Sequence, residues 1–467
     1  MTDELIGFVL FWGVWLFVPM LIDGTTAIAY FIGGWRSRPS TRTADQLKPL
    51  DRYPRVSILI PAYNASKVLP FCLESLRKQT YPHREMEVLI IDNQSNDDTR
   101  AVIAGQQSIR FAGNLNWISL PYKGKPGALN AGIHRVSGEI IINIDADTVL
   151  HPDSILEMVR AFELDPLVAG ATGSIEVLPA DIDPRTGERI EVHPFKYLMA
   201  EAEFLEYYAG FRIGRQYQSQ TQSLFTLAGA FSAFRRDVLL KTFLYDERTV
   251  SEDTDLTFFI ARQFPDRKVI AVGPAIAFVH PTESVKALYA QRLRWQRGQL
   301  EVASQYPDFE RHPFRLKGLA ISKSLLIDHT LAFPRVVWTF LLPMMYFVGY
   351  PLTLVVSATL SMYLIYMVVE GLYQVVAYLV AEGDAKSRIR KHWWMFLFMP
   401  AYRWTIFWFR FGGFLAVMME SKEWRVSDPV TETKQGLQRV STLTLTFLTQ
   451  SFLPRLAALV GGVLRSK

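Results

Sequence analysis

Cysteine is nearly absent: Cys72 is the only one in 467 residues, which rules out an intrachain disulfide and any multi-cysteine metal site, as a reducing compartment permits. Lysine and arginine are missing from Met1-Thr2-Asp3-Glu4, ahead of the uncharged run Leu5 to Ile22. A secretory signal needs a basic segment there and a shorter apolar stretch, so the run reads as an anchor, about long enough to cross a ~30 Å hydrocarbon core as a helix. Charge of one sign is also scarce. Fifty Lys and Arg against 45 Asp and Glu leave a small excess that suits a membrane surface or a pyrophosphate, not nucleic acid. No Gly-x-Gly-x-x-Gly and no Walker-type loop follows the first predicted strand, which speaks against dinucleotide dehydrogenases and P-loop enzymes, because each cradles phosphates with bare backbone. There is no internal repeat and no low-complexity tract.

The apolar residues that are present are unevenly spread. Arg36, Arg38 and Arg42 follow the first run, so the positive-inside bias places Thr43 onward in the cytoplasm. Between Val336 and Val380 the only formal charge is Glu370, and the stretch is long enough for two spans turning at Gly349-Tyr350-Pro351. The basic group Lys386, Arg388, Arg390, Lys391 then returns to the cytoplasm. Trp393 to Met419 is undecided: its ten Leu, Ile, Phe and Val residues contribute roughly −3 to −6 kcal/mol, against roughly +5 to +7 kcal/mol for Arg403 and Arg410 near a midplane. Pro400 suits a broken, re-entrant or interfacial segment. The expected organisation is an anchor over 1–35, a cytoplasmic domain over 50–300, interfacial helices over 301–328, spanning or re-entrant helices over 329–420 and a cytoplasmic or surface tail over 421–467.

Within the cytoplasmic region, short aliphatic strands alternate with helical patterns. Val56 to Ile60 reads as a strand ended by Pro61, and Leu69, Cys72, Leu73 and Leu76 share one helical face. Strands follow at Val88 to Ile91, around Trp117-Ile118 and at Ile140 to Ile144, with a polar turn and helix from Asn93 past Thr99 and a helix from Gly127 to Arg135. Near-continuous aliphatic strands separated by helices predict an α/β, mostly parallel sheet covered on both faces. Ligands in such sheets bind beyond the carboxyl ends of the strands, where Asp92, Asp145 and Asp147 stand.

Asp145-Ala146-Asp147 offers two carboxylates on a tight turn, suited to a hard divalent ion that also holds phosphate oxygens. The same spacing at Asp181-Ile182-Asp183 lies in a polar loop flanked by Pro. Asp92 has a competing reading as a turn residue and cap. Lys125 enters at a helix start near the same edge, where the bland alternative is a solvated lysine. Ser251 stands as N-cap of the helix that carries Asp253, either a first-turn carboxylate favoured by the helix dipole or a general base for an attacking hydroxyl. Gln291, Arg294 and Trp295 fall at i, i+3 and i+4, one helical face that suits a sugar diphosphate, with a structural Trp and solvated Arg as the alternative.

Together, Asp92, Asp145-Ala146-Asp147, Ser251-Glu252-Asp253 and Gln291-Arg292-Leu293-Arg294-Trp295, in this order and followed by apolar spans, resemble the processive members of glycosyltransferase family 2. These are the cellulose, chitin, hyaluronan and poly-N-acetylglucosamine synthases. Pro61-Ala62-Tyr63-Asn64, Gly124-Lys125 with Ala128-Leu129-Asn130, and Gly229 followed by Phe234-Arg235-Arg236 add local matches. The resemblance implies a GT-A fold, a UDP-sugar donor, Mg²⁺ or Mn²⁺ and inversion at the anomeric carbon. It assigns Tyr63, Asp92, Lys125 and Asp145 to the nucleotide and its phosphates, Asp145 and Asp147 to the metal, Asp253 to base catalysis, and Gln291, Arg294 and Trp295 to pyrophosphate and acceptor. The family often has Asp-Asp-Gly-Ser where this chain has Asp92-Asn93-Gln94-Ser95, and commonly Thr-Glu-Asp where it has Ser251-Glu252-Asp253.

The expected partners are a UDP-sugar, a glycan acceptor, membrane lipid and accessory subunits for polysaccharide export, with no nucleic acid. The expected location is the plasma membrane, with the catalytic domain in the cytoplasm. A single-sugar transferase to a lipid carrier and a catalytically silent partner of an assembly complex are the alternative readings.

Overall fold

The computed structural model describes residues 24–36, 49–107, 113–182, 188–247, 249–306, 340 and 342–419. The predicted anchor run at Leu5 to Ile22, residues 307–328 of the expected interfacial helices and the expected tail over 421–467 lie outside the described residues.

Eight strands form one sheet in the order β3-β2-β1-β4-β7-β6-β8-β5. They are β1 Val56–Ala62, β2 Met86–Asp92, β3 Asn114–Ser119, β4 Ile140–Ile144, β5 Val149–Leu150, β6 Val168–Val177, β7 Phe231–Arg235 and β8 Lys268–Val279. β1, β2, β3 and β4 are mutually parallel, β6 pairs parallel with β8, and β7 and β5 run against their neighbours. The predicted α/β, mostly parallel sheet is therefore present, with antiparallel pairing at β7 and β5.

Alternation along each strand explains why both faces are covered. Ile58, Ile60, Ile90, Ile142 and Ile144 join one buried cluster with α1 (Leu69–Arg77) and α4 (Ser154–Leu164), while Leu59, Leu89, Ile91 and Ile141 join another with α3 (Lys125–Ile133) and α8 (Glu252–Gln263). Further helices are α2 Thr99–Gln107, α5 Pro194–Tyr207, α6 Arg215–Gln220, α7 Arg236–Leu239, α9 Val285–Gln305, α10 Leu352–Val380, α11 Gly383–Lys391 and α12 Met399–Met419. Because β2 lies on one side of β1 and β4 on the other, the chain reverses its winding there and opens a crevice at the strands' carboxyl ends.

Two local expectations differ from the structure, at Pro61 and at Ser251, and one is met at Asn93. β1 continues through Pro61 to Ala62; pairing with β4 ends at Leu59, so at Pro61 the strand has only β2 as neighbour and tolerates the missing N–H. The polar turn and helix expected from Asn93 onward are present as a turn over 93–98, where Asp92 accepts from the Ser95 amide (3.0 Å) and Asp97 from the Thr99 amide (3.1 Å), and a helix from Thr99. Ser251 is the N-cap of α8, yet its hydroxyl donates to the Asp253 carboxylate at 3.1 Å instead of capping the helix.

Gln94 occupies the left-handed region at φ 60°. That conformation disfavours a β-carbon, which is the physical reason for a glycine at this point of the related motif.

Among the described residues, α10 is the one helix long and apolar enough to cross a membrane by length and composition. A turn at 348–350, with Gly349 at φ 103°, precedes it. The predicted basic loop after α10 is the helix α11, which docks on the sheet domain: Arg388 donates to both Glu201 oxygens at 2.9 Å and to the Val177 carbonyl at 2.5 Å. Trp393 to Met419 breaks at Phe398, between a short 3₁₀ turn (Trp393–Leu397) and α12, and Pro400 falls in the first turn of α12, where proline is tolerated.

α12 lies against α9 so closely that a β-carbon at Gly413 would stand 2.8 Å from the Leu293 carbonyl oxygen. Gly413→Val is expected to force the helices apart and lower stability by about 1–3 kcal/mol. Thermal unfolding of the detergent-solubilised protein checks this, and an unchanged midpoint would refute the contact.

Candidate active site

The site begins where β4 ends. Asp145 follows Ile144, and the Thr148 amide donates to the Asp145 carbonyl at 3.0 Å, closing the tight turn that carries Asp145 and Asp147. Lys125, in the first turn of α3, extends its ammonium to within 2.5 Å of Asp145 Oδ1 and 3.9 Å of Glu252 Oε1. Burial alone would lower the Lys125 pKa, but the Asp145 and Glu252 charges outweigh it and hold the ammonium above its usual range. Glu252 is pushed up by burial, an effect opposed by Lys125 and reinforced by Asp253.

Asp253 reaches the same place from the first turn of α8. Its Oδ2 accepts from the Gly229 amide at 3.0 Å and its Oδ1 from the Thr254 amide at 2.7 Å, which fixes the carboxylate's orientation. Gly229 is wedged between the two charged groups: a β-carbon there would sit 3.0 Å from Lys125 Nζ and 3.5 Å from Asp253 Oδ2.

Across the opening, α9 presents Gln291, Arg294 and Trp295. The Gln291 side-chain oxygen accepts from Arg292 at 2.8 Å. Trp295 is half-buried against Phe211 (ring centroids 5.7 Å) and lies under the Arg292 guanidinium at 4.4 Å. Arg292 itself has no exposure and donates to Glu206 of α5 at 2.6 Å, with Glu203 at 3.9 Å. Glu206 also accepts from the Tyr402 hydroxyl at 2.7 Å and faces Arg410 at 3.6 Å, both on α12.

Lys125, Asp145, Asp147, Asp253, Gln291, Arg294 and Trp295 line one cavity of about 390 Å³. Tyr63 and Asp92 stand at the same edge of the sheet, outside that lining. Asp92 is buried; its Oδ1 accepts from the Ser95 amide at 3.0 Å, and its Oδ2 accepts from the Arg100 and Ser119 side chains at 2.6 and 2.9 Å. These donors outweigh burial and hold its carboxyl below the usual range. Tyr63 is exposed, with Lys123 Nζ 3.1 Å from its hydroxyl.

Sequence reasoning missed Glu252, Gly229, Glu206 and Arg410 as parts of this site. The only signal for Gly229 was its place in the family resemblance; Glu206 had none, because its role depends on helices far apart in sequence.

Desolvation in the cleft, then the neighbouring Asp145 charge, pushes Asp147 above the usual carboxylate range. Two such carboxylates opening on a polar cavity suit a hard divalent cation, which would relieve their repulsion. Among the described residues no group of three His, Cys, Asp or Glu forms a closed metal site, so diphosphate oxygens and water would have to complete the coordination.

Residues 57–243 match the family model described as glycosyl transferase family 2. That segment belongs to glycosyl transferase family 2. Over 296 residues the chain is 24% identical to a poly-beta-1,6-N-acetyl-D-glucosamine synthase of Staphylococcus epidermidis, covering 63% of this chain and 65% of that protein. Over 254 residues it is 22% identical to the protein of the same name from Staphylococcus aureus, covering 54% and 56%. The chain thus spans less than two thirds of these relatives' length. Among solved structures, a mannosyltransferase from Pyrobaculum calidifontis in complex with GDP-Man and Mn²⁺ superposes with a TM-score of 0.49 at 16% identity, over 87% of this chain and 99% of that one.

The buried pair behind Trp295 predicts an asymmetric response to mutation. Glu206→Gln leaves the Arg292 charge poorly compensated and is expected to cost about 3–5 kcal/mol, whereas joint replacement by Glu206→Leu and Arg292→Met should cost much less. Unfolding midpoints of the two variants test this, and equal losses would contradict it.

Proposed function

We propose that the chain is a membrane-bound, inverting glycosyltransferase that moves a sugar from a UDP-sugar to a growing polysaccharide, processively and with export along its own membrane helices. One observation carries the reading: Asp145, Asp147, Asp253, Arg294 and Trp295, drawn from 151 positions of sequence, line a single cavity. The family 2 match supports it.

In the proposed reaction the acceptor hydroxyl loses its proton to Asp253 as its oxygen bonds to the anomeric carbon and the bond to the diphosphate breaks. The Gly229 and Thr254 amides keep Asp253 aimed during that transfer. Lys125 and Arg294 place positive charge where the diphosphate departs. Trp295 offers a flat apolar face to a sugar ring. Asp145 and Asp147 would hold Mg²⁺ or Mn²⁺, which when bound neutralises diphosphate charge. Tyr63, exposed at the β1 edge, and Asp92, through the turn it braces, are assigned to the nucleotide side.

The experiment is incubation of membranes containing the full chain with labelled UDP-sugars, starting with N-acetylglucosamine because of the staphylococcal relatives' names. A high-molecular-weight product is expected, and Asp253→Asn should reduce its rate by about 10²–10⁴-fold while UDP still raises the thermal midpoint. An organic-extractable single-sugar product would replace polymerisation by transfer to a lipid carrier. Absence of both donor turnover and a UDP-dependent shift would leave the silent partner.

A further inference from the structure

Away from the active site, a second cavity of about 400 Å³ runs along α10. Val368, Gly371 and Val375 form one wall, and Trp393 and Phe396 of the 3₁₀ turn form the other. The walls are apolar and open: Val368 is 63% exposed and Trp393 64%. The first wall belongs to α10, the helix long and apolar enough to cross a membrane, so this groove continues an apolar helix surface.

One end of the groove is different. Arg390 lines it beside Tyr378, and Lys386, one turn earlier on the same face of α11, places its ammonium 4.9 Å from the centre of the Tyr378 ring. Among the described residues neither Lys386 nor Arg390 has an ion-pair partner. Their neighbour Arg388 does: it is held by Glu201 and the Val177 carbonyl, turned towards the sheet domain. α11 therefore divides its four cations: Arg388 and Lys391, which donates to the Tyr197 hydroxyl of α5 at 3.2 Å, face the domain, and Lys386 and Arg390 stand at the mouth of an apolar groove. Exposed Trp393 and Trp394 sit immediately beyond, as amphipathic rings do at a membrane boundary.

We infer that this groove binds one anionic glycerophospholipid of the bilayer, with an acyl chain between α10 and the 3₁₀ turn and the headgroup phosphate on Lys386 and Arg390. The occupant follows from complementarity: an apolar slot takes a hydrocarbon tail, and two cations at its end select a negative headgroup over a zwitterionic one. Glycosyl transfer is not a premise of this inference.

The test is native mass spectrometry of the full chain in detergent with equimolar phosphatidylglycerol and phosphatidylcholine. The wild type is expected to retain phosphatidylglycerol roughly 10- to 30-fold better, from two interfacial cations. Lys386→Gln with Arg390→Gln, both surface changes, should bring the ratio close to one. Gly371→Phe, whose side chain would grow towards Phe396 from a β-carbon 3.8 Å away, should reduce retention of both lipids. Equal retention by the wild type, an undiminished preference in the double glutamine variant, or full lipid retention by Gly371→Phe would each overturn the proposal.

Discussion

The Arg292–Glu206 pair is the interaction on which the remainder of the site depends. A guanidinium without solvent exposure is tolerable only when a carboxylate meets it at close range, so α5 and α9 cannot separate or rotate freely. Arg292 points inward against Glu206. The helical repeat then turns Gln291, Arg294 and Trp295 towards the cavity. Glu206 also meets Tyr402 and Arg410, so the same carboxylate fixes α12 behind α9.

The opposite wall follows a comparable logic. Lys125 stands between Asp145 and Glu252, while the Gly229 amide secures Asp253. Two positions of small size make these approaches feasible: Gly229 between Lys125 and Asp253, and Gly413 where α12 meets the α9 backbone. The cavity is consequently a seam between a sheet edge and a helix pair, with carboxylates on one side and arginine on the other. Such a division suits a ligand whose charged diphosphate and neutral sugar must both be accommodated.

Charge placement explains how apolar helices attach to this domain. Arg403 donates to Glu370 at 3.1 Å, so a cation that weighs against insertion and the lone acid of α10 answer each other. Arg388 fixes α11 to Glu201. Arg388 thus ties the apolar part of the chain to α5 and β6, and Tyr207 at the end of α5 packs on Trp295 with ring centroids 6.1 Å apart.

Much of the fold was legible in the amino-acid order because it is local. Ile140 to Ile144 is aliphatic at every position but Asn143, and α1 shows its buried face at Leu69, Cys72, Leu73 and Leu76; both follow from backbone periodicity and burial. The aspartates after β4 and the Gln-x-x-Arg-Trp spacing were legible for the same reason, each lying within one turn of chain. Glu206, Gly229 and Arg410 were not. Their roles arise from approaches between segments tens to hundreds of residues apart, and no spacing encodes which buried acid a given arginine will find. The order of residues by itself determined the elements and the chemical types available at the sheet edge; which of them share one cavity, and which helix closes it, was decided only by tertiary packing, because desolvated charges must pair wherever the folded chain brings their partners.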